Sequence, residues 1–201
     1  MNRQPPTANR KPPHGLVVVI SGPSGVGKST IAHAIEQRLG AVFSVSMTTR
    51  PRSPKDREGI DYHFVDEPRF HRAIDEGELL EWARVFNHHY GTPKKNVETR
   101  IAQGHIVILE IDVQGAIQTR EHFPDALMMF ILPPTVEVLL DRLRKRGRES
   151  EDAIQRRYLE HQREIELAKT CGVYDEFLVN DDLNATIEKA IAMVQQRIHP
   201  V

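Results

Sequence analysis

The chain has 201 residues, with 27 Lys and Arg against 28 Asp and Glu, giving a formal net charge of −1. That length suits one ordinary domain with its own core, and the near-zero charge excludes a protein drawn to nucleic acid or an anionic membrane by its global field. Any anion must be caught locally. A lone cysteine, Cys171, excludes an internal disulfide framework and suits a reducing compartment.

Residues 1–13 are basic and proline-rich, and Pro5, Pro6, Pro12 and Pro13 oppose the amphipathic helix of a mitochondrial presequence. They read as a disordered leader on a cytoplasmic protein, with no apolar span long enough for a membrane. The runs "LVVVI" (16–20), "IVILEI" (106–111) and "LMMFIL" (127–132) predict strands covered on both faces, and "FLVN" (177–180) a weaker fourth. Between and beyond them, helical patterns cover 29–39, 93–103, 114–122, 135–146, 150–170 and 184–197. Strands alternating with helices imply an α/β fold, a parallel sheet flanked by helices.

Two stretches break that rhythm. From about 43 to 92 lie short β-like pieces ("FSVSM", "DYHFV"), the helix "EPRFHRAIDEG" and much charge, which suggests a small inserted lobe. From 141 to 157 a basic helix end, Gly147 and a new helix start at Ser150 form a second charged interruption.

"SGPSGVGKST" contains Gly22-x-x-x-x-Gly27-Lys28-Ser29, directly after the first strand and opening a helix. In such a loop the glycines let backbone N–H groups turn inward around phosphates, aided by the helix N-terminus. Lys28 would reach the β- and γ-phosphates of a nucleoside triphosphate, and the Ser29 hydroxyl would ligate Mg²⁺. A glycine-rich turn with an accidental lysine is the bland alternative, and the strand-then-helix setting opposes it. "VILEIDVQG" delivers Glu110 and Asp112 to the carboxyl end of a strand, where α/β sheets bind ligands. Either acid could steady Mg²⁺, directly or through water, or simply cap the next helix. His88 and His89 are adjacent, so on an extended chain they face opposite ways and make a poor metal pair.

"SGPSGVGKST", "VSMTTRPR", "GIDYHFV", "LLEWARVFNHHYGT", "LEIDVQG", "ILPP", "RLRKRG" and "VNDD" occur in the order and spacing of guanylate kinases, which the chain resembles from about Gly15 to Val194. The resemblance implies a P-loop nucleoside-monophosphate-kinase fold with a GMP-binding lobe (about 43–92) and a lid (about 141–159) in one domain over 14–201. It implies transfer of the ATP γ-phosphoryl group to GMP with Mg²⁺, and no nucleic acid, membrane or obligate protein partner. The ATP site would comprise Gly22, Pro23, Ser24, Gly25, Val26, Gly27, Lys28, Ser29 and Thr30, with Asn180 beside the adenine. By the same resemblance Arg50, Tyr62 and Tyr90 hold the GMP phosphate. Ser46, Glu81 and Thr92 meet guanine, and Asp112 lies near the base and the magnesium. Arg142 and Arg146 match lid arginines facing the ATP phosphates, and Arg157 one reaching the transfer site. Glu110 stands where some members carry Asp, which keeps the carboxylate.

The family's second phosphate-binding arginine usually follows three positions after the first, where this chain has Ser53. Arg52 and Arg57 are the candidates to replace it. Pro51 and Pro54 favour extended geometry, which puts Arg52 on Arg50's side, so Arg52 is the expected holder. Two other functions fit parts of the pattern. One is a non-catalytic guanylate kinase-like binding module, which usually lacks an intact P-loop. The other is a kinase of the same architecture for another phosphorylated acceptor, such as a ribose bisphosphate, which would not need Glu81 with Thr92.

Overall fold

In this computed structural model the described residues are 15–85, 87–135, 137, 138, 144 and 151–199, with the side chains of 151–153 and 155–157 excepted. The first sheet contains β1 (Leu16–Ser21), β2 (Val42–Phe43), β7 (Ile106–Glu110), β8 (Leu127–Leu132) and β9 (Glu176–Val179), in the order β2-β7-β1-β8-β9. All four pairings are parallel, as the alternation of strands with helices predicts.

Both faces of that sheet are covered. Val18 and Ile20 of β1 pack with Ile31 and Ile35 of α1 (Lys28–Leu39) and with Ala190, Ile191 and Val194 of α6 (Leu183–Ile198). Val17 and Val19 point the other way, against Val97 of α3 (Lys94–Ala102) and Ala116 of α4 (Val113–His122). The two-residue period of a strand splits one apolar run between two core layers. Each fully buried aliphatic side chain there contributes about 1.5–3 kcal/mol. Helix α5 spans Glu151–Thr170.

A second sheet holds β3 (Met47–Thr48), β4 (His63–Phe64), β5 (Leu79–Val85) and β6 (His88–Pro93), ordered β4-β3-β6-β5. Helix α2 (Glu67–Asp75) closes its small core, in which Phe70 and Ala73 meet Met47 and Leu79. The antiparallel β5–β6 hairpin is absent from the sequence reading. Its pattern is inverted where it matters, since Glu81 is 4% exposed and the neighbouring Trp82 is 39% exposed. A register irregularity between Leu79 and Glu81 disturbs the alternation further.

The leader expected over 1–13 lies outside the described residues, as does most of the helix expected over 135–146.

Candidate functional site

A cleft of about 590 Å³ runs between the two sheets, lined by Gly22, Ser24 and Lys28 from the phosphate loop, by Glu81 and Tyr90 from the second sheet, and by Ser46 and Tyr62 just before β3 and β4. Asp112, Glu110 and five residues of α5, Glu160, His161, Arg163, Glu164 and Leu167, add to the walls.

The loop between β1 and α1 turns on Gly22, Gly25 and Gly27, with φ of 139°, 89° and 105°. A Cβ on Gly22 would stand 2.3 Å from the Ile131 carbonyl oxygen, so only glycine fits there. Helix α1 starts at Gly27 without a side-chain cap, which leaves its first N–H groups to a ligand. Aspartates cap three other helices, Asp66 for α2, Asp112 for α4 and Asp182 for α6, while α3 starts at Pro93 without a side-chain cap. Lys28 Nζ donates to the carbonyls of Gly22 (2.6 Å) and Pro23 (3.1 Å), so its charge lies over the loop. Ser29 Oγ donates to Glu110 Oε1 at 3.1 Å.

Val26 is fully buried, and its carbonyl accepts from Asn180 Nδ2 at 2.7 Å. Asn180 is itself only 3% exposed. It therefore braces the phosphate loop from beneath, a contact that the resemblance, which sets it beside adenine, did not describe. Pro23, Gly25, Gly27 and Thr30 belong to the loop and the first turn of α1.

Across the cleft, Thr92 Oγ1 donates to Glu81 Oε1 at 2.5 Å. Gly115 admits the other oxygen, since a Cβ there would lie 2.4 Å from Glu81 Oε2. Burial, chiefly, pushes the Glu81 carboxyl up to about 7; the Thr92 hydrogen bond opposes this and the nearby Asp112 adds to it. Asp112 is raised by burial, against the N–H of Gly115, which it caps at 2.8 Å, and against Lys28. Glu164 is also pushed up to about 7 by burial. Sequence reasoning missed it, although 160, 161, 164 and 167 recur at helical spacing on one face of α5.

At the rim, the Arg50 guanidinium lies 5.3 Å from the centre of the Tyr62 ring and pairs with Asp56 Oδ2 at 2.9 Å. That pairing holds the Asp56 carboxyl down to about 2 and raises Arg50. Tyr62 and Tyr90 meet edge to face at 5.7 Å. Arg52 Nε donates to the Asp56 carbonyl at 3.0 Å, which gathers it to the same turn as Arg50. Arg57 instead pairs with Asp61 at 3.4 Å and is 67% exposed. Arg142, Arg146 and the side chain of Arg157 lie outside the described residues.

The guanylate kinase family model matches residues 14–197. A guanylate kinase of Symbiobacterium thermophilum is 44% identical over 183 residues, covering 90% of this chain and 85% of its own. One of Thermosynechococcus vestitus is 46% identical over 177 residues, covering 88% and 91%. The crystal structure of the guanylate kinase from Anaplasma phagocytophilum superposes with a TM-score of 0.75 at 32% identity, covering 94% of this chain and 88% of that one. A phosphate loop facing a buried carboxylate, a matching fold and relatives of this similarity agree: the chain belongs to the guanylate kinase family.

Proposed function

We propose that this chain is an ATP:GMP phosphotransferase, moving the γ-phosphoryl group of ATP to GMP to give ADP and GDP, in the cytoplasm. The observation that carries the proposal is the pairing of Lys28 on one wall of the cleft with the buried Glu81–Thr92 pair on the other. Guanine presents N1–H and N2–H₂ as adjacent donors, and an ionised Glu81 accepts from both. Adenine has an acceptor at N1 and no 2-amino group, so it leaves the carboxylate unpaired at a cost of about 1–3 kcal/mol or more.

The GMP phosphate belongs with Tyr62, Tyr90 and Arg50, which exchanges Asp56 for the incoming dianion, and with Arg52. Ser46 completes the base pocket. The ATP phosphates belong on the loop from Gly22 to Thr30, where Lys28 leaves the Gly22 and Pro23 carbonyls for the β- and γ-oxygens. Phosphoryl transfer needs acceptor and donor held in line and equatorial charge neutralised, so no residue serves as a nucleophile. The lid arginines Arg142, Arg146 and Arg157 are proposed to supply part of that charge.

The hard oxygen donors Ser29 and Glu110, 3.1 Å apart beside the loop, suit Mg²⁺, which Asp112 would help to hold through water. Bound there, the ion would neutralise phosphate charge.

A coupled assay of ADP release with GMP, AMP, UMP and ribose phosphates tests the acceptor. GMP is expected to lead AMP in kcat/KM by roughly a hundredfold or more. Equal use of AMP, or preference for a ribose phosphate, would overturn the reading.

A further inference from the structure

Glu67 opens α2 and His71 lies one turn further on, so their side chains share a face of the helix. His89, on β6, comes up against that face. Its Nδ1 lies 2.9 Å from Glu67 Oε2, and His71 Nδ1 lies 3.7 Å from the same oxygen. Among the described residues, these three side chains form a group whose potential ligand atoms all lie within 4.8 Å of one another. Ligand atoms around a tetrahedral zinc ion stand about 3.3 Å apart, as follows from bonds of about 2.0–2.1 Å. The two shorter separations bracket that value, so small side-chain rotations suffice.

We propose that Glu67, His71 and His89 form a binding site for one divalent transition-metal ion of the zinc class, on the side of β6 away from the nucleotide cleft. Two imidazoles and one carboxylate are the donor set of such ions, and three protein ligands leave a position for water. Mg²⁺, which prefers oxygen ligands and sheds water reluctantly, is a poor match.

The ligand His89 is already oriented. Its ring stacks on Phe70 at 5.3 Å, and its side chain is only 15% exposed. Glu67 and His71, at 48% and 58% exposed, leave the site open to solvent. Coordination replaces the His89–Glu67 hydrogen bond, the imidazole proton passing to the other ring nitrogen or to water. It also draws His71 Nδ1 from the Glu67 carbonyl, 2.9 Å away.

The ion would tie α2 to β6 at the back of the nucleotide wall. Tyr90, next along β6, lines the cleft, and neighbouring strand residues face opposite ways. His89 also exchanges backbone contacts with Thr49, at 3.0 Å from the Thr49 N–H and 2.9 Å to its hydroxyl. Thr49 precedes Arg50. The metal thus braces the lobe without entering the reaction.

The test uses the metal-free full chain titrated with ZnCl₂ by calorimetry and with CoCl₂ by visible absorption. The parent is expected to bind one equivalent of Zn²⁺ and to show tetrahedral cobalt bands that excess Mg²⁺ does not remove. His71→Ala and Glu67→Gln should each weaken binding at least tenfold, while His71→Ala keeps the parent's metal-free turnover. Imidazole NMR of the parent should show Zn²⁺ perturbing His71 and His89 together, a readout that needs no variant. Absence of binding by the parent, unchanged affinity in both variants, loss of the cobalt bands to Mg²⁺, or zinc perturbing other histidines instead would each overturn the proposal.

Discussion

A carboxyl group that is 4% exposed and pushed by burial to about 7 is partly protonated near neutrality, and Glu81 is such a group. Its folded value lies above the ordinary 4.5, so between about 4.5 and 7 the folded chain keeps a proton that the unfolded chain has lost. Stability therefore falls as pH rises through that window, by on the order of 3 kcal/mol in full. Glu164, also near 7, acts in the same direction, so comparison with Glu81→Gln isolates Glu81. The variant is expected to lose part of the fall in urea midpoint between pH 5 and pH 8. Under the proposed function guanine reverses the sign, because its two donors require the ionised form. GMP affinity should rise with pH through about 7 in the parent, with a flatter profile and a narrower margin over AMP in Glu81→Gln. An unchanged GMP to AMP ratio of kcat/KM would remove Glu81 from base recognition. At the phosphate end, Arg52 sits with Arg50 at the Asp56 turn, whereas Arg57 points to solvent with Asp61. Arg52→Ala should raise the GMP KM roughly tenfold or more, as expected for a lost charge-assisted contact. Arg57→Ala should change it far less, and the reverse order in steady-state kinetics would transfer the role to Arg57.

Between elements, the close approach of α4 to β5 decides where Glu81 can sit. Gln118 of α4 accepts from the Trp82 N–H at 3.1 Å and donates to its carbonyl at 2.8 Å, doing for β5 what a further strand would do. With β5 held this near, a Cβ at Gly115 meets the Glu81 carboxylate. Gly115→Ala is expected to displace Glu81 and cut kcat/KM for GMP at least tenfold, while circular dichroism stays that of the parent. Helix capping gives the complementary case. Asp182 Oδ1 accepts from the Ala185 N–H at 2.8 Å, so Asp182→Ala should cost about 1 kcal/mol, read as a lower urea midpoint, and leave GMP kinetics alone. Strands β1, β7 and β8 of the first sheet were legible because they are covered on both faces and read as unbroken apolar runs, whereas the two-residue β2 was not, since its Phe43 begins a piece that reads as part of the lobe. The β5–β6 hairpin was not, because a buried acid and an exposed tryptophan occupy positions where local patterning wants the opposite. The Glu67–His71–His89 group was hidden for a different reason, since one ligand reaches the others only through tertiary packing.

For the molecule as a whole, the cleft that carries the proposed chemistry lies between two sheets, with the phosphate loop on one side and Glu81 with Thr92 on the other. The phosphate loop was legible from its glycines, lysine and serine, whose spacing is set by backbone geometry alone. The proposed role of Glu81 in recognising the base came only through resemblance, because nothing local distinguishes it from any other strand carboxylate. The brace that Asn180 makes under the loop and the burial of Glu164 on α5 needed the packed fold to be seen. The division of labour predicts that Lys28→Met abolishes turnover at saturating ATP and Mg²⁺ yet leaves GMP affinity, measured by calorimetry, near that of the parent. Full activity in that variant would deny the lysine its part. The most direct measurement is phosphorus NMR of the protein with ATP, Mg²⁺ and GMP, which follows the transferred group itself. The β-phosphate signal of GDP should grow in step with that of ADP, with no inorganic phosphate released. ADP appearing with free phosphate, or no GDP at all, would contradict transfer to GMP.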